Sequence, residues 1–492
     1  MKTLLLLSIL AAIGSPKASE IDRIVGENLK AKGLEASAQS DPERLVRRLF
    51  LVATDRIPTE TQVRGFLRNP DRTALVDSLV SSDGFVGKQV LKWGDLLRIK
   101  SEFPSCMWPN AVQAFNKWLT DEFRSGKPYN EFVRDLLSGT GSNFRVPQIN
   151  FYRAGSDRSC AKFASDCALL FHGRRKAPAE WEPFFCQIRF KSTKEWKEEI
   201  LWLDVDEPGR DVTLDGRKLT LKEGSDFRKP FIDWLCADSS HDLARAYAGR
   251  MWFWFTGVAL VSPVDGLDIA EGNLCPELLD YLTESFVASG YDVRALARAI
   301  LLSDCFCRSS LSEKGNGADR TGFSHFALRR LEAEQICDAI CLITGVWDKY
   351  SSRAPEPFTN FPEGTLAIDV CDGTITTPQL DIFGRPSRDV ALESGRDISI
   401  NPKQTLYLLN SSDIQEKLKK SPYISSMVTR TDVEGIIDGI YLRVLARHAL
   451  PEEISTAKEW AQGHIIGGNP NRRLAEVLVW ALLNTDEFLF LN

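Results

Sequence analysis

The sequence predicts a mainly α, multi-domain protein, with a small β insert near residues 185–225 and a long irregular segment near 350–400. Three observations carry this reading. Apolar residues recur at helical spacing between well-formed caps through the first third. The period then switches to short β-rich runs. Residues 350–400 concentrate Pro, Gly, Thr and Asp with no period, and a run of that length is usually functional or a wrapping segment.

Asp41-Pro42 opens the first strongly signalled helix, through Leu45, Leu49 and Val52, with proline at the first helical position. Pro58 breaks the chain, and Thr59 with Gln62 three residues on forms a capping box for the next helix. Further helices carry Leu75, Leu79 and Val80, then Leu91, Leu96 and Leu97, then Phe115, Trp118, Leu119 and Phe123. Strands are predicted at Ile200–Leu203, Val212–Leu214 and Leu219–Leu221, the last two joined across Asp215-Gly216, a strong hairpin signal. Helix returns at Ser240; Ala244, Tyr247, Met251, Trp252 and Phe255 share one face and Gly257 closes it. That aromatic stripe reads as core. Helices follow at Leu278–Val287, Val293–Leu302 and Leu328–Ile343, placing His325 at a helix start.

An internal repeat is legible. Residues 42–86 and 432–488 both read helix, Pro-capped helix, Asn-Pro turn, helix, with Asn69-Pro70 matching Asn469-Pro470 and Ser82-Asp83 matching Thr485-Asp486. The two units are expected to fold alike and to dock, closing the molecule.

Residues 1–18 read as a secretory signal: Lys2, an apolar Thr3–Ile13 stretch too short to span a bilayer, and small residues with cleavage after Gly14 or Ala18. The expectation is an exported, periplasmic or extracellular protein with no transmembrane anchor after cleavage. A net charge of −6, evenly mixed, argues against nucleic acid as a partner. Eleven cysteines permit disulfides but leave at least one unpaired. Cys160 and Cys167 are too far apart to bridge within one helix, and most of the set reads as buried thiols. No zinc spacing and no Cys-x-x-Cys-His occurs, so no metal, no cofactor and no covalent haem are expected. Asp204, Asp206, Gly209 and Asp215 match part of a calcium loop, but Pro208 and the missing flanking helices argue against one.

The densest chemistry is Phe383-Gly384-Arg385-Pro386-Ser387-Arg388, then Glu393, Arg396 and an apolar run ending in Asn410. Arginines on stiff turns are suited to bidentate hydrogen bonding, either to internal carboxylates or to an anionic ligand. For a ligand role, Arg385, Arg388, Arg396 and Asn410 are the binding candidates, and Glu393, Asp265 and His325 the proton-transfer candidates. On that reading Arg388→Ala weakens glycan binding at a stability cost of only about 1 kcal/mol.

The chain resembles the paired domains of unknown function 1549 and 1553, the cytochrome-associated domains of large secreted planctomycete proteins. Ile21-Asp22-Arg23, Arg56-Ile57-Pro58-Thr59, Trp93-Gly94-Asp95-Leu96-Leu97-Arg98 and Asn150-Phe151-Tyr152-Arg153 resemble the first. Met251-Trp252-Phe253-Trp254, Pro263-Val264-Asp265, Pro276-Glu277-Leu278-Leu279, Arg330-Leu331-Glu332-Ala333-Glu334 and the arginine segment resemble the second. The resemblance implies a DUF1549-like helical domain over 20–190, an insert or linker over 191–230 and a DUF1553-like helical domain over 231–490. Many relatives carry Cys-x-x-Cys-His where this chain reads Phe171-His172-Gly173-Arg174, which sets it apart as non-haem. By resemblance the function is that of an exported binding or assembly protein serving extracellular polysaccharide processing, its partner an anionic glycan or another exported protein. The alternative is a hydrolase or lyase acting on a sulfated or uronate polysaccharide.

Overall fold

The computed structural model describes residues 14–237, 241–270, 272–313, 315–354, 361–429, 432–464 and 469–492. The apolar Thr3–Ile13 stretch read as a signal lies outside the described residues, as does Ser240. The chain is mainly helical. It begins with α1 (Ala18–Ala31), α2 (Pro42–Thr54), α3 (Glu60–Arg68), α4 (Arg72–Val80), α5 (Asp83–Leu96), α6 (Pro109–Ser125), α7 (Tyr129–Ser138) and α8 (Cys160–Phe171). The expected caps are in place: Asp41 accepts from the Arg44 amide, and Thr59 with Gln62 completes a capping box.

The β insert holds β2 (Ile188–Ser192), β3 (Glu199–Leu203), β4 (Arg210–Leu214) and β5 (Arg217–Leu221). It is two sheets, not one. The pair β4–β5 turns at Asp215 and Gly216, whose φ values of 50° and 72° match the twist of a two-residue hairpin. The other sheet recruits β1 (Gly141–Ser142) from the loop that ends α7, in the order β1-β3-β2.

Beyond it come α9 (Arg228–Ala237), α10 (Asp242–Thr256), α11 (Pro276–Ala288), α12 (Val293–Leu302), α13 (Asp304–Cys307), β6 (Arg329–Arg330) and α14 (Ala333–Thr344). Here one expectation is corrected. Residues 328–332 are not helical, and His325 does not open a helix. Arg329 and Arg330 pair antiparallel with β7 (Phe490–Leu491), and α14 starts only where Glu332 and Gln335 form a capping box. Among the described residues between Gly345 and Asn401, regular structure is confined to short turns and α15 (Pro378–Ile382), as the composition suggested. Six helices complete the chain: α16 (Pro402–Asn410), α17 (Ser412–Lys420), α18 (Pro422–Met427), α19 (Val433–Val444), α20 (Pro451–His464) and α21 (Pro470–Leu483), with the short α22 (Asp486–Leu489) before β7.

The two repeat units have the same helix order, α2-α3-α4-α5 and α19-α20-α21-α22, and they meet in space. Arg64 of α3 pairs with Asp438 of α19 at 3.4 Å. Arg47 donates to the carbonyls of Phe488 (2.6 Å) and Phe490 (3.0 Å). Arg48 donates to those of Phe306, Arg308 and Asn492. Neither arginine makes an ion pair among the described residues, and both guanidinium groups cap main-chain oxygens that burial would otherwise leave unpaired. The main apolar core runs from Ile21 to Leu491 and includes residues of both ends, with a small separate cluster of Leu91, Leu366 and Ile368.

At its centre lies α10. Tyr247 stacks on Tyr129 with ring centroids 4.2 Å apart and on Trp93 at 6.3 Å, while Trp252 and Phe255 are fully enclosed. The aromatic stripe is core, as its period implied; Trp254, on the same helix but outside the stripe, aims its indole N–H at a carboxylate.

Candidate active site

Five sequence motifs that are unremarkable singly converge at one place. The arginine segment is pinned by its glycine. A Cβ at Gly384, where φ is 86°, would overlap the Asp397 carbonyl, so only glycine makes this turn. Arg388 itself sits in the left-handed region with φ 57°, and its side chain fills the space left by Gly94 and Gly373. Its Nε donates to Asp95 Oδ1 (2.8 Å) and its Nη1 to the Ile99 and Cys371 carbonyls. Arg385 reaches Glu334 at 3.4 Å and the Val370 carbonyl at 3.1 Å. Arg396 binds three acids: Asp95 at 2.7 Å, Glu334 at 2.7 Å and Glu332 at 3.0 Å. Lys92 closes the network on Glu332 at 2.7 Å. The internal-carboxylate alternative therefore describes Arg385 and Arg388, which are buried with their forks on protein acceptors.

Burial alone would raise the Asp95 and Glu332 carboxyls. The surrounding cations outweigh it and hold both below the usual range, Glu332 far below. These acids are fixed anions, not proton carriers.

Beside this network opens a pocket of about 270 Å³. Glu393 stands on its wall. Its Oε1 accepts from Trp254 Nε1 (2.7 Å), and its own amide donates to Asp265 Oδ2 (2.7 Å). Asp265 is 2% exposed and takes a second bond from Arg250 Nε at 3.2 Å, so it positions the Glu393 turn instead of reacting. Burial and the neighbouring Asp265 push the Glu393 carboxyl up to about 7 against the pull of Lys92. Proximity to neutrality is what proton transfer needs.

Beside the candidate Arg396, the pocket's positive charge comes from Lys92, Arg329 and Arg330, none of which was among the binding candidates. The Arg329 fork ends on the Trp254 and Phe255 carbonyls, and that of Arg330 on the Phe383, Asp397 and Ile398 carbonyls. Neither makes an ion pair among the described residues, although the field of Glu332 reaches both. Of the sequence candidates, Glu393, Asp265 and Arg396 are brought together here. His325 is not: it lines a separate cavity of about 430 Å³ with Trp252, Asp319 and Arg320. Asn410 is exposed at the end of α16, away from both. No cluster of three or more metal-binding side chains occurs among the described residues.

A stability test isolates Glu393. Its folded value, about 7, lies above the ordinary 4.5, so between those values the native state keeps a proton that the unfolded chain has released. Stability therefore falls as pH rises from 4.5 to 7 and stays reduced above. Gln mimics the protonated form. Glu393→Gln is expected to match the parent near pH 4.5 and to exceed it at pH 8, on the order of 2 kcal/mol, in urea unfolding.

Comparison with known proteins follows the same division of labour. Residues 20–167 match the PSCyt2 family model, a protein of unknown function (DUF1549), and residues 227–461 match the PSD1 model, a protein of unknown function (DUF1553). No curated protein and no solved structure matches. The pocket draws Lys92 from the first matched stretch and Trp254, Asp265, Glu393 and Arg396 from the second, so the site exists only when both are present. The chain belongs to the proteins that pair a DUF1549 domain with a DUF1553 domain.

Proposed function

We propose that this chain is an exported, non-haem acid–base enzyme acting on an anionic glycan, with eliminative cleavage next to a uronate as its reaction. The observation that carries this reading is Glu393: a carboxyl with its pKa near 7, oriented by Trp254 and Asp265, in a pocket whose Arg329 and Arg330 make no ion pair among the described residues. An enclosed carboxyl in that state takes a proton at neutral pH. Adjacent guanidinium groups stabilise the charge that develops on a uronate carboxylate as its α-proton leaves. The C5 proton passes to Glu393, the electron pair forms the C4–C5 double bond, and the glycosidic oxygen departs from C4 and is protonated by water. Hydrolysis fits less well, because it uses two independent carboxyl groups. Asp265 is locked by Arg250 and Glu332 by two cations, which leaves one proton carrier. The apolar wall of Phe253, Pro263 and Val264 gives a sugar ring a surface to lie on, and the volume accommodates about one ring.

The assay is ultraviolet absorbance of unsaturated uronates released from alginate, pectate and chondroitin sulfate. Turnover should rise with pH through about 7, as Glu393 loses its proton. Glu393→Gln should lower it by at least about 100-fold while oligosaccharide still quenches tryptophan fluorescence. Binding by the parent with no turnover on any of the three would return the protein to a binding or assembly role. Neither binding nor turnover would overturn the glycan reading altogether.

A further inference from the structure

The cavity of about 430 Å³ that His325 lines is not remote from the Glu393 pocket. Thr256 and Val258 line this cavity, while Gly257 and Ala259, which alternate with them along the chain, line the Glu393 pocket. Leu328 belongs to the first, and the residues that follow it, Arg329 and Arg330, belong to the second. The end of α10 and the start of β6 thus form a common wall with one cavity on either side. Leu328, on that wall, is 59% exposed, so the wall reaches solvent where the two meet.

The two cavities differ in charge. Around Glu393 cationic side chains outnumber acids. The larger cavity has one of each among the described residues, Arg320 and Asp319. Arg320 donates through one nitrogen to the Gly317 and Asp319 carbonyls, both at 3.0 Å. Burial alone would raise the Asp319 carboxyl, but hydrogen bonds from Ser324 and from the amides of Thr321 and Gly322 outweigh it and hold it at about 2. Asp319 therefore stays an anion and balances Arg320. The rest of the lining is aromatic or hydroxylic. Trp252 and Phe323 lie edge to face with ring centroids 5.2 Å apart. The enclosed Trp252 indole N–H has no hydrogen-bond partner among the described residues. Ser310, Ser312 and His325 add donors and acceptors, and one His325 ring nitrogen is taken by the Ser324 hydroxyl at 3.1 Å. A charged ring here would give up water without a net opposite charge to meet it. An uncharged, hydroxyl-rich ring needs only the hydrogen bonds and an apolar face.

Resting on the glycan reading above, we infer that this cavity is a second sugar subsite of the same active site, taking the uncharged ring next to the uronate held beside Glu393. The preferred polymer is then one that alternates a uronate with an uncharged hexosamine, not a polyuronate. The larger volume leaves room for a ring that carries an N-acetyl group.

The test compares two tetrasaccharides on the full chain. One is from hyaluronan, which alternates uronate with N-acetylated hexosamine, and the other from pectate, which is uronate throughout. Calorimetry gives Kd, and absorbance of the unsaturated product gives kcat/KM. The parent should favour the hyaluronan probe at least about 10-fold in both. Ser312→Lys adds a cation at an exposed position of the cavity and should narrow that preference at least about 3-fold by improving pectate binding. Ala327→Trp fills the cavity and should lower kcat/KM for the hyaluronan probe at least about 10-fold, with binding of free glucuronate unchanged. Equal or better use of pectate by the parent would overturn the subsite and leave the lyase reading intact. A hyaluronan preference that neither substitution alters would also overturn it, since the selectivity would then arise elsewhere. Selective binding without turnover would support the subsite while removing the lyase reaction, and no binding of either probe would remove both.

Discussion

Arg396→Ala is expected to destabilise the protein by at least about 5 kcal/mol at pH 7. Arg396 is the hub of the buried charge network, contacting Asp95, Glu332 and Glu334 within 3.0 Å. Among the described residues each of these acids then keeps one ion-pair partner: Arg388 for Asp95, Lys92 for Glu332 and the longer 3.4 Å contact from Arg385 for Glu334. Removing the hub strands negative charge away from water, which costs far more than the intact pairs contribute. The pH dependence supplies a signature. Asp95 and Glu332 are held below their ordinary values in the parent, so they contribute stability above those values that is lost as pH falls. Without Arg396 these acids protonate more readily. The deficit of the variant should therefore shrink between pH 7 and pH 4. Urea unfolding followed by circular dichroism at both pH values measures it. A variant within about 1 kcal/mol of the parent would show that solvent reaches the network and that Arg396 is free to face a ligand.

Arg388→Ala is expected to cost about 3–5 kcal/mol, well above the roughly 1 kcal/mol anticipated for an arginine facing a ligand. The side chain is 3% exposed and satisfies Asp95 and two carbonyls at once, filling the space against Gly94 and Gly373. Truncation leaves a cavity and unpaired acceptors, and alanine fits the φ of 57° poorly. Arg388→Lys should recover only part of the loss, because one ammonium cannot reproduce a planar fork that spans three acceptors. Glycan binding by a still-folded Arg388→Lys protein should be nearly unchanged, since the residue does not line the 270 Å³ pocket. A selective loss of binding at full stability would restore Arg388 as a ligand residue.

The particular residues show what was legible beforehand. Caps are local: Asp41, Thr59 with Gln62, and Gly257 act on amides and carbonyls within one turn, so α2, α3 and α10 were readable from the chain alone. The Asp215-Gly216 turn and the shared order of helix, Pro-capped helix, Asn-Pro turn and helix were legible for the same reason, while the fourth helix of each unit was not part of that pattern. The start of α14 was not. Arg329 and Arg330 leave the helical pattern because residues 490–491, at the other end of the chain, pair with them, and no local rule reports such a partner.

The site divides the same way. Glu393, Asp265 and Arg396 were identifiable because charge and stiff turns at high density are visible in the sequence. Their roles were not. Whether an arginine holds a ligand or a carboxylate depends on what lies within 4 Å, and Asp95, the acid that Arg388 and Arg396 share, is about 300 positions away, on α5. Trp254 shows the same limit: it stands outside the stripe read as core, and nothing local reports that its N–H is aimed at Glu393 across 139 positions. By itself the sequence determined the helices, their caps, the repeat and the identity of the charged residues, all set by interactions within a few residues. The tertiary structure alone decided which cations are cancelled, which remain to face the pocket and which carboxyl keeps a proton near pH 7, because desolvation and ion pairing are properties of surroundings that only the folded chain assembles.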